Sequence, residues 1–310
     1  MYALFRQGEA YNQLRRLVIA KEIHSVAVLG AGTMGAGIAG LCAQQGCRVL
    51  MLDLSIEDAE KGLERIVSGR PSAIDDVGKA ENISLGTFDR DLKNIQEYDW
   101  VCEAIVEDLQ TKRELIARVE PFRKNGSVIS TNTSGILLSE ITRGMPERLC
   151  RDIAVTHFFN PVKIMRLMEL VPGKDTDDEV IDTLSKFCGG VLNKGVVNAK
   201  DTVNFIGNRI GCFWMLLGMH KAASARKDGL TIELIDALMS GLFGLPRTGL
   251  FGLVDLIGLD VMDLVGKNLA DNLPSNDVGI QFANLPPAES ELLKRGQIGR
   301  KSGEDRANGF

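Results

Sequence analysis

The chain has 310 residues, 45% of them apolar and 25% charged, with a formal net charge of −5. That balance suits a globular protein of one large or two ordinary domains, and its acidic sum leaves no basic footprint for nucleic acid. Cys42, Cys47, Cys102, Cys150, Cys188 and Cys212 form no CxxC pair and no Cys/His ligand cluster, which argues against a metal site and suits reduced thiols in a cytoplasmic compartment. The longest apolar run, "IGCFWMLLGM", is about half of what a membrane span needs.

Residues 1–24 carry charge throughout and lack a secretory apolar core. They read as an amphipathic helix or linker, with a mitochondrial presequence as second choice. "SVAVLGAGTMGAGIAGLCAQQGCRVLMLDL" follows, with coordinated signals. Val26–Leu29 is an apolar run suited to a buried parallel strand. Gly30, Gly32 and Gly35 then complete a GxGxxG pattern, and a small-residue helix follows over Met34–Gln45. Gly30 permits the tight turn, Gly32 lets backbone approach a pyrophosphate, and Gly35 allows close packing of helix on strand. Thr33 and Met34, inside the turn, join the cofactor-binding candidates. A second strand, Arg48–Leu52, ends at Asp53, 23 residues after Gly30. A carboxylate there can accept hydrogen bonds from a ribose. Leu54 and Ser55 follow with no adjacent Arg for a 2′-phosphate, so NAD is favoured over NADP.

Further strands are expected at "ISLGTFD", "WVCEAIV", "SVIST", "DIAVTHFF" and "MRLMELV", with a crossover helix at "LQTKRELIARVEPF". The alternation predicts a Rossmann-type doubly wound sheet whose ligands lie beyond the carboxyl ends of the strands. Those ends carry Glu107, then "NTSG" beginning at Asn132, then His157 with Asn160. From Asp201 onward strand-like runs give way to long helical stretches, and "NLPSNDVGIQFANLPPAE" reads as a loop. The predicted organisation is therefore a linker over 1–24, an NAD-binding domain over 25–200, and an all-helical domain over 201–310.

One of only three histidines stands in "VTHFFNP". A lone histidine is first read as a hydrogen-bonded structural residue, or more sharply as a general base. His157 lies six residues before Lys163 and Glu169 six after it. A symmetric reversal about Lys163 would bring the two side chains opposite each other. A carboxylate on one ring nitrogen fixes the tautomer and leaves the other nitrogen to take a proton from a substrate hydroxyl.

With these residues in place, the chain resembles the L-3-hydroxyacyl-CoA dehydrogenases of fatty-acid β-oxidation. The resemblance runs from about Ser25 to the C-terminus. It rests on "GAGTMGAGIA", "EAIVEDLQTKRELI", "NTSGI", "HFFNPVKIMRLMEL", "AKDTVNFIGNRI", "GLFGLVDLIGLD" and "GRKSG" in order. It implies His157 as catalytic base, Glu169 as its partner, and Ser134 and Asn208 as hydrogen-bonding groups for the reacting oxygen, with Asn160 nearby on the substrate. It also implies that Glu107 and Lys112 line the ribose and nicotinamide side of NAD, and that the helical domain closes over substrate and forms a homodimer. Several features depart from the family pattern. The segment after Asp53 is shorter, leaving Lys61, Arg65 and Arg70 as unweighted CoA candidates. Gly135 stands in place of a second serine, Asn204 in place of a glycine, and "LPRTGLFG" in place of a small-residue turn. These changes resemble members fused to an enoyl-CoA hydratase. The linker-like start and the ending at Phe310 raise the expectation that the chain is the dehydrogenase portion of a longer polypeptide, against a free-standing enzyme.

Other readings are a 3-hydroxybutyryl-CoA dehydrogenase, a gulonate-type dehydrogenase with the same His/Glu logic, and a non-catalytic NAD-binding module. A β-hydroxyacid dehydrogenase of the hydroxyisobutyrate type would use a lysine base where this chain has Asn208 and Arg209.

Overall fold

The structure, a computed structural model, describes residues 21–241, 245 and 247–300. The helix expected in 1–24 falls almost wholly outside the described residues, as does the tail after Arg300. The chain divides between Thr202 and Val203 into two compact units.

The first unit is built on eight strands: β1 (Ser25–Leu29), β2 (Arg48–Asp53), β3 (Ile83–Thr87), β4 (Trp100–Glu103), β5 (Val128–Thr131), β6 (Ile153–Phe158), β7 (Leu167–Pro172) and β8 (Gly195–Asn198). They form one sheet in the order β3-β2-β1-β4-β5-β6-β7-β8. The first six strands are parallel to their neighbours, β7 runs antiparallel to β6, and β8 parallel to β7. Every residue of β1, β4, β5 and β6 is buried, which is why these strands read as continuous apolar runs rather than alternating ones. Helices Thr33–Gln44, Ile56–Ser68, Leu109–Val119 and Asp178–Lys186 belong to the same unit. Ile38, Cys42, Met51, Trp100, Phe158 and Leu184 share its main core.

Two elements differ from the sequence reading. The strand expected through "WVCEAIV" stops at Glu103, because the Ile105 amide turns back to donate to Glu103 Oε1 at 2.8 Å. β8 was not expected, since Val196 and Val197 are its only apolar residues and three of its four residues are exposed on the sheet edge.

In the second unit the described residues form helices Gly207–Lys227, Ile232–Leu238, Gly249–Ile257, Leu259–Asn272 and Pro287–Lys294. Cys212, Met215, Leu216, Met219 and Ala222 are buried along the first of these, the spacing of a single helix face. They pack with Ile235, Leu250, Phe251, Val254, Leu259, Met262 and Leu269. The stretch read as a loop around residues 272–289 holds a 3-10 turn, Val278–Phe282, started by Asp277 Oδ1 accepting the Gly279 amide. Asn204, the residue replacing a family glycine, has φ +59, a left-handed conformation that asparagine tolerates better than most side chains. Among the described residues no helix is long and apolar enough to cross a membrane.

Candidate active site at the carboxyl edge of the sheet

The chain leaves β1 at Gly30 with φ +108, and a Cβ there would sit 2.6 Å from the Ala104 carbonyl oxygen. At Gly35 the approach is tighter still, since a Cβ would come within 1.9 Å of the Gly30 carbonyl oxygen. Both positions therefore require glycine. Gly32 is different, because an added Cβ meets nothing within 4 Å. That open side lies at the N-cap of helix Thr33–Gln44, which has no side-chain cap and no acidic residue in its first turn. Thr33 and Met34 are its first two residues, so the first amides and the helix dipole remain available to an anion. At the end of β2, Asp53 Oδ2 accepts the Ala31 amide at 2.6 Å and Oδ1 the Leu54 amide at 2.7 Å. A carboxylate has about four acceptor positions, so the residues present fit a dinucleotide with ribose hydroxyls at Asp53.

Beyond β4, Glu107 gathers the loop that follows β5. Its Oε1 accepts the Thr133 hydroxyl at 2.6 Å, the Ser134 amide at 2.8 Å, the Gly135 amide at 2.9 Å and the Ser134 hydroxyl at 3.3 Å. Burial alone would raise the Glu107 pKa, but the nearby Lys112 ammonium and these donors outweigh it and hold the carboxyl below its ordinary range. Lys112 is only 1% exposed, and its ammonium lies 2.6 Å from Glu103 Oε1 and 3.3 Å from Glu107 Oε2. Asn132 turns inward, its Oδ1 accepting the Phe158 amide at 2.9 Å, which ties the end of β5 to the end of β6.

The β6–β7 register sets His157 directly opposite Glu169. Nδ1 of the ring is 2.7 Å from Glu169 Oε2, in a pair that is 5% and 0% exposed. The Phe159 ring packs at 4.5 Å from the imidazole. The reversal between the strands is held by the buried Lys194, whose ammonium donates to the carbonyls of Val162 and Met165. Asn160 is exposed at the start of that reversal.

The structure thus places Gly30, Gly32, Thr33, Met34, Gly35, Asp53, Glu107, Asn132, Ser134, His157 and Asn160 at the carboxyl ends of the parallel strands or just beyond them. Glu169 joins them from β7, and Lys112 lies beneath, buried in helix Leu109–Val119. Asn208 belongs to the second unit, in the first turn of helix Gly207–Lys227. Of the CoA candidates, Lys61 pairs with Asp58 at 3.0 Å, and Arg65 donates to the Ala31 carbonyl at 3.2 Å. Sequence reasoning missed Glu103, Thr131, Thr133 and Lys194. For Glu103 a signal existed, because a carboxylate inside an apolar strand must find a cation, and Lys112 stands nine residues on.

Comparison with known proteins sets this edge in a family. The model of the 3-hydroxyacyl-CoA dehydrogenase NAD binding domain matches residues 25–202, and that of the C-terminal domain matches 205–308. A "probable 3-hydroxyacyl-CoA dehydrogenase" of Bacillus subtilis (strain 168) is 33% identical over 305 residues, covering 92% of this chain and 38% of that protein. A "putative fatty acid oxidation complex trifunctional enzyme" of Rickettsia felis is 35% identical over 287 residues, covering 90% of this chain and 39% of the relative. The chain therefore spans under two fifths of the length of these two relatives. Among solved structures, the (S)-3-hydroxybutyryl-CoA dehydrogenase PaaH1 of Ralstonia eutropha superposes with a TM-score of 0.77 at 28% identity, covering 92% of this chain and 98% of that one. With its two units matched in order by the family's two domains, the chain belongs to the 3-hydroxyacyl-CoA dehydrogenase family.

Proposed function

We propose that this chain catalyses the NAD-dependent oxidation of an (S)-3-hydroxyacyl-CoA to the 3-oxoacyl-CoA, and the reverse reduction. The observation that carries the reading is the buried His157–Glu169 pair at the same sheet edge as the glycine turn. Glu169 engages Nδ1, so proton exchange with the substrate hydroxyl is assigned to Nε2 of His157. NAD, when bound, supplies the hydride acceptor for C3. The oxidation then balances as one hydride to the nicotinamide and one proton to the imidazole, leaving a carbonyl at C3. By family resemblance, Ser134 and Asn208 are both assigned to hydrogen-bonding the reacting oxygen, where they act on charge that changes in the transition state. Asn160 is assigned to substrate binding, and Glu107, Lys112 and Asn132 to shaping the cofactor side. The second unit is assigned to substrate binding and homodimer formation. The relative named as a fatty acid oxidation enzyme supports β-oxidation as the setting.

The test is NADH oxidation by the full chain with acetoacetyl-CoA, beside gulonate with NAD. Turnover of the thioester supports the reading, and turnover of gulonate alone would replace it. NADH binding without turnover of either would identify a non-catalytic module.

A further inference from the structure

At the end of β4 the protein buries an ion pair that no catalytic step above uses. Glu103 is wholly buried and Lys112 almost so, and burying two charges carries a desolvation penalty that apolar residues of similar size would avoid. The contacts around Glu103 indicate what the pair does. Its Oε1 accepts the Lys112 ammonium at 2.6 Å and the Ile105 amide at 2.8 Å. Its Oε2 accepts the Thr131 hydroxyl at 2.5 Å. Two connected routes leave this carboxylate. Through Lys112 it reaches Glu107 Oε2 at 3.3 Å, and the other oxygen of Glu107 gathers Thr133, Ser134 and Gly135. Through Thr131, whose hydroxyl oxygen accepts the Thr133 amide at 3.2 Å, it reaches the same loop from the strand side. Both routes converge on the segment that presents Ser134.

We propose that Glu103 is a positioning residue for Ser134, acting through Lys112 and Glu107 on one side and Thr131 on the other. Glu103 holds the ammonium back, so that Lys112 neutralises Glu107 at one oxygen while the other stays committed to the loop. Without the Glu103 charge, Lys112 is free to close on Glu107 and compete with the loop donors. Thr131 loses its acceptor at the same time, and the loop that carries the Ser134 hydroxyl loses its fixed position. This inference rests on the proposed dehydrogenase reading, in which Ser134 hydrogen-bonds the reacting oxygen.

A double-mutant cycle on the full chain tests it, with kcat for acetoacetyl-CoA reduction by NADH as the readout. Glu103→Gln should lower kcat at least about tenfold in the parent chain but less than about twofold in a Ser134→Ala background, the coupling expected of residues in one hydrogen-bond network. A role confined to holding β4 against β5 would lower kcat by the same factor in both backgrounds, and that result would overturn the proposal. Thr131→Val, a near-isosteric change, runs the same cycle if Glu103→Gln does not fold. Its loss of roughly threefold should likewise vanish beside Ser134→Ala, and an equal loss in both would count against the proposal. Absence of turnover by the unmodified chain would overturn the dehydrogenase reading and this inference together. Turnover with additive losses would overturn the inference alone.

Discussion

Asp53 and Ala31 are joined across the glycine turn by a 2.6 Å hydrogen bond from the Ala31 amide to Oδ2. Together with the Leu54 amide at Oδ1, it fixes a negative charge where the ribose of a dinucleotide would lie. A 2′-phosphate brought to that carboxylate meets a like-charge repulsion of roughly 1–4 kcal/mol. The kcat/KM for NADH should therefore exceed that for NADPH at least about tenfold. Equal values would contradict the role given to Asp53.

Glu169 is fully buried against His157. Glu169→Gln keeps the shape of the side chain but removes the charge that supports a positive ring and fixes its tautomer. A fall in kcat of roughly tenfold or more is expected, within the range shown by general acid–base groups and their partners. Steady-state kinetics with acetoacetyl-CoA check this, and an unchanged kcat would separate Glu169 from the chemistry.

Glu107 has its pKa held below the ordinary carboxylate value by Lys112 and the loop donors, against the opposing effect of burial. A depressed folded-state pKa contributes stability that is present above the unfolded value of about 4.3 and is lost as pH falls through the folded value. Glu107→Gln should therefore lower Tm near neutral pH, and the gap from the parent should close as the pH is taken below about 4. A gap that stays constant with pH would reject the charge-dependent account.

All six cysteines are free thiols, and five are buried. Burial pushes Cys102 up to about 12 and Cys47 and Cys212 to about 11, and it raises Cys42 and Cys188 as well. Since the thiolate is the nucleophile, the native protein at about pH 8 should alkylate slowly, with the half-buried Cys150 first. Mass spectrometry of iodoacetamide-treated protein reads the order, and early labelling of Cys102 or Cys188 would contradict it.

The glycine turn, the parallel strands and the His157–Glu169 pairing were legible because each follows from local pattern. Buried strands read as apolar runs, and a reversal centred near Lys163 fixes which residues face each other across β6 and β7. What the sequence hid depends on contacts between distant segments. Thr131 and Glu103 meet only because β4 and β5 are neighbours in the sheet. Lys194, just before β8, reaches the carbonyl of Val162 from 32 residues further along the chain. Glu107 could be placed at the sheet edge from sequence, but not its grip on the Ser134 amide.

The proposed chemistry stands or falls with His157 as the base. His157→Gln measured against the parent, with acetoacetyl-CoA and NADH in single-turnover and steady-state experiments, tests it most directly. A fall in kcat of at least roughly a hundredfold is expected, with NADH affinity little changed because the imidazole serves the substrate side. Near-normal turnover by this variant would exclude His157 as the base and return it to a structural role.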